Sequence, residues 1–354
     1  MKNITAIAMA GLAACAITPA IAQSNITLYG IIDTGVARID DAGGSGSTLL
    51  RSGNLLTSRF GFLGTEDLGD GLKAIFNLEA GLNSDTGATS TPFFGRQSWV
   101  GLRSASFGDL MAGRMLPSIS DVFIASTQAA YLGNATAAVD GAATAAGSSL
   151  ARFNNMMGTR VDNAIKYQSP SLAGFKLHAM TAFGEVAGTA SAGRILSLGG
   201  SYSSEHIEAG LVYHERRCTD SGGCAVGKDK DKILGLGGSY KLNGARYGMV
   251  YTRQQNALNV RGNDADVFTT FARVPLSTQW IVQAGFQYLN DKTALNQDVR
   301  QYNLGANYLL SKRTQLYALY SHQSVKNGGK AGMYSVTSSD GKQNQFSAGI
   351  LHAF

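Results

Sequence analysis

Charge is scarce in this chain. Only 15% of its 354 residues are Asp, Glu, Lys or Arg, against about 25% in an ordinary soluble domain. Proline is scarcer still, at 5 residues, which excludes a collagen-like or proline-rich chain in spite of 44 glycines. Long apolar runs are missing beyond the first two dozen residues, and the mean hydropathy is −0.03. A bundle of membrane helices needs about 20 successive apolar residues per helix, so that class is excluded as well. Basic residues outnumber acidic ones by only 30 to 24, giving a pI near 9.1 with no concentrated basic tract, and nucleic acid is not implied. What the chain has in quantity is Gly, 14 Tyr and 15 Phe, with polar and apolar residues finely interleaved.

The first 22 residues read as a secretory signal: Lys2, an apolar run from Ile4 to Ile17, Pro19, and the small-residue site Ala20-Ile21-Ala22 before Gln23. Cleavage between Ala22 and Gln23 is expected, with residues 23–354 forming a single domain. A membrane anchor and a lipoprotein box at Leu12-Ala13-Ala14-Cys15 are the competing readings. After cleavage two cysteines remain, Cys218 and Cys224, in the polar stretch 215–232. An even pair in an exported protein favours a disulfide over two free thiols. A metal site is not supported, since only His214 lies close to the pair, and no cofactor is implied.

From Asn25 to Phe354 the dominant pattern has period two. Leu72, Ala74, Phe76, Leu78, Ala80 and Leu82 fall on one face, opposite Lys73, Asn77 and Glu79. Trp280, Val282, Ala284, Phe286 and Tyr288 oppose Gln283, Gly285 and Gln287 in the same way. Strands are predicted near 25–38, 57–67, 71–83, 96–104, 109–116, 161–168, 174–184, 194–204, 207–217, 231–242, 245–255, 265–276, 278–290, 298–310, 313–325 and 343–354. That makes about sixteen. Their connections alternate between tight turns and longer loops, the habit of an up-and-down membrane barrel.

A soluble β-sandwich also alternates, but its strands average about five or six residues, whereas these reach the nine to eleven or so that a tilted strand needs to cross a bilayer. Aromatics near strand ends, such as Tyr29, Tyr240, Tyr288, Tyr320 and Phe354, suit the girdles at a membrane boundary. Strands in lipid must close into a barrel to pair every backbone group, and about sixteen of them enclose an aqueous lumen. The expected fold is therefore all-β, a transmembrane antiparallel barrel.

The opening Ser24-Asn25-Ile26-Thr27-Leu28-Tyr29-Gly30-Ile31-Ile32-Asp33 resembles the first strand of Gram-negative general porins of the neisserial and burkholderial type. Ser58-Arg59-Phe60-Gly61, Gly64-Thr65-Glu66-Asp67-Leu68-Gly69, Gly71-Leu72-Lys73-Ala74-Ile75-Phe76, Phe94-Gly95-Arg96-Gln97, Leu310-Ser311-Lys312-Arg313-Thr314 and Gly349-Ile350-Leu351-His352-Ala353-Phe354 extend the resemblance along the whole mature chain. Leu351 departs from it, since relatives usually carry Arg there. The resemblance implies a sixteen-stranded homotrimer in the outer membrane, surrounded by lipid and lipopolysaccharide and passing small ions and solutes by diffusion. It also implies that Phe354, which ends the face Phe346, Ala348, Ile350 and His352, is the signal read by the barrel-assembly machinery.

The longest connection, about 117–160, corresponds to the third external loop, which in that family folds inward and narrows the lumen. Its Ala and Gly content over 129–147 suits packing on a wall. The arginines expected at the constriction are Arg59, Arg96, Arg103, Arg114, Arg152 and Arg160, faced by Asp121 from the loop. Parity turns Arg59 and Arg103 inward, but turns Arg96 outward unless its strand begins irregularly. Such a cluster predicts a diffusion channel with weak anion selectivity. A substrate-specific channel for phosphate or carboxylates is the alternative, and an adhesin-like role for the loops is a further possibility. Enzymatic activity is not expected, because the five histidines fall in no catalytic pattern.

Overall fold

The computed structural model describes residues 25–127, 159–219, 224–333 and 336–354. The predicted signal segment and its Ala22–Gln23 junction lie outside them. Nineteen strands run through the described residues. The first six are β1 (Asn25–Ile39), β2 (Ser47–Ser52), β3 (Arg59–Gly69), β4 (Leu72–Gly81), β5 (Gln97–Ser104) and β6 (Gly108–Met115). Helix α1 (Ser118–Thr127) follows, then β7 (Val161–Gln168), β8 (Phe175–Ala182), β9 (Ile195–Ser203), β10 (Ile207–Arg217), β11 (Lys230–Leu242), β12 (Ala245–Gln255) and β13 (Ala265–Pro275). The chain ends with β14 (Trp280–Asp291), β15 (Val299–Leu309), β16 (Thr314–Val325), the short β17 (Gly332–Met333) and β18 (Val336–Thr337), and β19 (Lys342–Ala353).

All but β17 and β18 join one antiparallel sheet that closes on itself, because β19 pairs with both β16 and β1. Strands β2 and β3 pair with the upper and lower halves of β1, so they are two pieces of one wall strand and the barrel has sixteen staves. Both ends of the described barrel chain, Asn25 and Phe354, lie at the rim of the tight turns. Longer connections occupy the opposite rim.

The period-two pattern becomes two surfaces with opposite chemistry. Leu211, Leu236 and Leu304 stand outside, each more than half exposed to what would be lipid. Gln254, Gln301, Gln323 and Gln343 point inward and are almost wholly covered. The covered polar set is a lumen wall whose members bond to one another, as Gln323 Nε2 does to Gln301 Oε1 at 2.8 Å. Aromatic pairs mark the tight-turn rim, with Trp280 and Tyr308 at 4.9 Å and Phe175 and Tyr202 at 4.6 Å between ring centres. Tyr288 and Tyr320 lie outward near the other rim, as an interfacial girdle requires. Tyr29 does not: its hydroxyl turns into the lumen and donates to Asn77 and Glu79.

The predicted strands agree closely with the observed ones. The piece β2 escaped prediction because the wall strand breaks at residues 53–58, where the chain folds inward around Asp33. That carboxylate accepts the Leu55 and Leu56 N–H groups, both at 2.7 Å. The hairpin β17–β18 was also unforeseen. It leans onto the inner wall, where Gly332 and Met333 N–H donate to the inward side chains of Gln323 and Gln343 at 2.7 and 2.8 Å.

Candidate functional site

Helix α1 places the start of the longest connection inside the barrel. Ile119, Val122 and Phe123, all buried, pack on Val212, Ile233 and Val250, which are inward residues of β10, β11 and β12. Burying three such side chains contributes about 1.5–3 kcal/mol each as an upper estimate. The wall makes room with glycine: a Cβ on Gly235 would run into the Phe123 ring. A polar clamp fixes the helix from the other side, where Lys166 Nζ donates to Asp121 Oδ2 at 2.7 Å and to Leu116 O at 3.1 Å. Gln168 Nε2 shares the same carboxylate oxygen at 3.1 Å. Asp121 was expected to face the arginines; its partners are instead Lys166 and Gln168 on β7. A short carboxylate one turn into a helix reaches the wall it packs on, not the wall across the lumen.

The carboxylate on which two of the predicted arginines converge is Glu79 on β4. Arg96 Nε donates to its Oε1 at 2.6 Å, and Arg59 Nε lies 3.8 Å from its Oε2. Tyr29 Oη completes the cluster at 3.0 Å. Register explains the convergence: Gly61 of β3 sits between Tyr29 and Glu79 on the inward row, so two long side chains meet over a residue with none. A methyl group on Gly61 would lie 2.8 Å from the Tyr29 hydroxyl. Arg59 faces the lumen as parity requires. Arg96 faces it because it precedes Gln97, the first residue of β5, and is held to β4 by its N–H bond to Glu79 O at 3.1 Å. Two guanidinium groups and one carboxylate leave one excess positive charge in this cluster, and Arg51, opposite Gly35 of β1 and farther toward the long-loop rim, is a further buried arginine on the inward face.

The other predicted arginines are not brought to that cluster. Arg103 lies at the tight-turn end of β5 in a forked pair with Asp109, at 2.8–3.1 Å. Arg114 donates to Gly95 O at 2.7 Å and pairs with Asp162, where a bulge after Gly113 shifts the register of β6 on β7. Arg160 stands at the head of β7, and Arg152 lies outside the described residues. Sequence reasoning had placed Glu79 on the polar face without assigning it a role, since strand spacing does not say which inward residues oppose one another.

Two further predicted features take definite places. Phe354 closes the barrel seam by exchanging backbone bonds with Gly30 at 3.0 and 3.1 Å, and its ring lies over Gly30, where any Cβ would collide with it. Cys218 and Cys224 Sγ atoms are joined, with Cα atoms 6.3 Å apart, in the loop between β10 and β11. The Asp229 carboxyl of that loop is held below the usual carboxylate range by the guanidinium of Arg261, 2.9 Å away in the connection between β12 and β13, aided by the Ala225 N–H at 2.7 Å.

A closed sixteen-stave barrel, apolar outside and polar inside, with a loop helix seated in its lumen, defines an outer-membrane diffusion channel. Comparison with known proteins agrees, since the model of the Gram-negative porin family matches residues 5–328. The chain belongs to that family and resides in the outer membrane as a multi-pass barrel. Outer membrane porin protein 32 of Delftia acidovorans is 32% identical over 98% of this chain and 99% of its own. The major outer membrane protein P.IB of Neisseria meningitidis is 34% identical over 34% of this chain and 35% of its own. Among solved structures, an anion-selective porin from Comamonas acidovorans superposes with a TM-score of 0.76 at 27% identity, covering 94% of this chain and all of that one.

Proposed function

We propose that the channel passes small hydrophilic solutes and ions with a weak preference for anions, set where Arg59 and Arg96 converge on Glu79. The excess of one positive charge in that cluster carries this reading. Magnitude decides between preference and exclusion. An ion passing roughly 6 Å from one unit charge in water gains about 0.7 kcal/mol, enough to concentrate anions roughly threefold but not to bar cations. The anion selectivity of the 27% identical Comamonas porin supports the same sign. Reversal potentials across a salt gradient in a planar bilayer test it, and a cation preference would overturn it.

In this reading the chain works as a homotrimer amid lipid and lipopolysaccharide, after removal of residues 1–22 and insertion by the barrel-assembly machinery acting on Phe354. The loop over 117–160 narrows the lumen, which the seating of α1 on the inner wall supports. The protein is a conduit and carries out no catalysis. A substrate-specific channel for phosphate or carboxylates is the second reading, favoured by the convergence of Arg59 and Arg96 at one level of the lumen. Conductance that saturates with one solute would separate it from a general pore.

A further inference from the structure

The outer surface of β11 to β15 divides into a basic level and an apolar one. At the long-loop ends of these strands, Lys232, Arg253 and Arg300 share the outward parity of Leu234, Met249 and Leu304, each of which is more than half exposed. Among the described residues none of the three cations enters an ion pair, because the carboxylates of this surface are taken by others. Lys230 holds Glu215 at 2.8 Å, Lys292 lies 3.5 Å from Asp266, and Lys326 reaches Asp298, just before β15, at 3.2 Å. Asp266 sits opposite Arg253 in register and also accepts the Tyr251 hydroxyl at 2.9 Å. The Arg300 guanidinium rests 5.8 Å from the ring centre of Tyr288. These three charges thus stand at the aromatic level, where a membrane barrel meets lipid headgroups.

Toward the middle of the wall a trough begins. Its floor is Thr270, Ala272 and Ala284, small side chains of β13 and β14, with Ala272 opposite Ala284 in register. Tyr247 and Met249 of β12 rise on one side, and Tyr302 and Leu304 of β15 on the other. The space is about 750 Å³, and it continues into a second depression of about 490 Å³ over Ala306 and Ala318.

The order of these features along the membrane normal identifies the occupant. A basic level next to an apolar trough matches an amphiphile with phosphate at one end and acyl chains at the other. Arginine suits the phosphate, since its guanidinium offers two parallel N–H donors. Long loops mark the external side of an outer-membrane barrel, so the amphiphile belongs to the outer leaflet, whose phosphorylated and multiply acylated lipid is lipopolysaccharide. A second copy of this chain fits worse, because a two-fold contact would bring the same cations together.

We propose that the outer wall of β11 to β15 holds one lipopolysaccharide molecule in a fixed place, its phosphates on Lys232, Arg253 and Arg300 and an acyl chain in the trough. The proposal rests on the reading that lipopolysaccharide surrounds the channel, and adds to it a defined site.

Native mass spectrometry of the delipidated oligomer, titrated with purified lipopolysaccharide in mild detergent, tests the site. One tightly held molecule per subunit is expected, with phosphatidylglycerol bound far more weakly. Lys232→Gln, Arg253→Gln and Arg300→Gln together should weaken binding roughly a hundredfold, at about fivefold for each basic group beside an anionic lipid surface. Ala284→Trp, which fills the trough and leaves every charge in place, should weaken it separately. Arg38→Gln, outward by parity with Val36 at the same rim but on β1, should not. Heat-resistant migration on a gel reports whether each variant folds, and if the triple variant does not, Ala284→Trp decides. Unchanged binding by the folded variants, an equal loss from Arg38→Gln, or equal binding of phosphatidylglycerol overturns the proposal. Dissociation of the oligomer by Ala284→Trp would assign the trough to a neighbouring subunit and overturn it as well. Saturable binding that survives both the triple variant and Ala284→Trp removes the site and leaves the wider partnership, whereas no binding by the unmodified protein removes both.

Discussion

Tyr317 donates its hydroxyl to the carboxylate of Asp33 at 2.5 Å, although 284 residues separate them and β19 lies between their strands. The reach is possible because Gly349 of β19 and Gly35 of β1 form the row beside Tyr317, and the phenol lies flat across both. Asp33 also holds the Leu55 and Leu56 N–H groups, so one buried carboxylate ties the barrel seam to the inward fold at 53–58. Tyr317→Phe removes one donor from it and should destabilise the seam by about 1–3 kcal/mol. A lower unfolding temperature on heat-modifiability gels checks this, and an unshifted transition would show the bond to be idle.

The charge pair predicts its own variants. Arg59→Glu with Arg96→Glu should move the reversal potential toward cation preference, whereas Glu79→Gln should strengthen anion preference by leaving both guanidinium charges uncompensated. Arg103→Gln should shift selectivity far less, since its forked pair with Asp109 is neutral and lies at the rim. Equal shifts from Arg103 and Arg59 would mean that the whole wall, not one cluster, sets the sign.

Gly235→Val should unseat α1, because a side chain there occupies the space of the Phe123 ring. With the clamp between Asp121 and Lys166 then bearing the helix alone, single-channel steps should become larger and noisier. Unaltered step size in planar bilayers would show that the helix does not limit flow.

Gly30→Val should hinder assembly, since its Cβ would take the place of the Phe354 ring over the seam. Less heat-resistant barrel in isolated outer membranes is the expected result. Normal yield would mean that the ring can turn away without cost.

Much of the barrel is legible in the sequence because each stave separates two different solvents, so its alternation is imposed on both faces. The same rule gave the inward orientation of Arg59. It failed at Tyr29, where an aromatic near a strand end is a lumen residue, and it misdirected Arg96, whose position lies just before the regular strand begins. Neither Glu79 nor Lys166 could be given a partner from spacing, because register between strands is decided by the meeting of whole ladders. The break at 53–58 and the short pair β17–β18 were invisible for a related reason: both are held by inward side chains, Asp33, Gln323 and Gln343, that come from distant strands.

The pairing of β1 with β19 also orders events in time. The first stave synthesised finds its second neighbour only when the last one exists, so a chain that stops before β19 leaves both β1 and β16 with unpaired edges. Such edges recruit other chains, and contacts this distant in sequence form slowly. Export must therefore deliver the polypeptide unfolded and keep it from self-association until the whole ring is available.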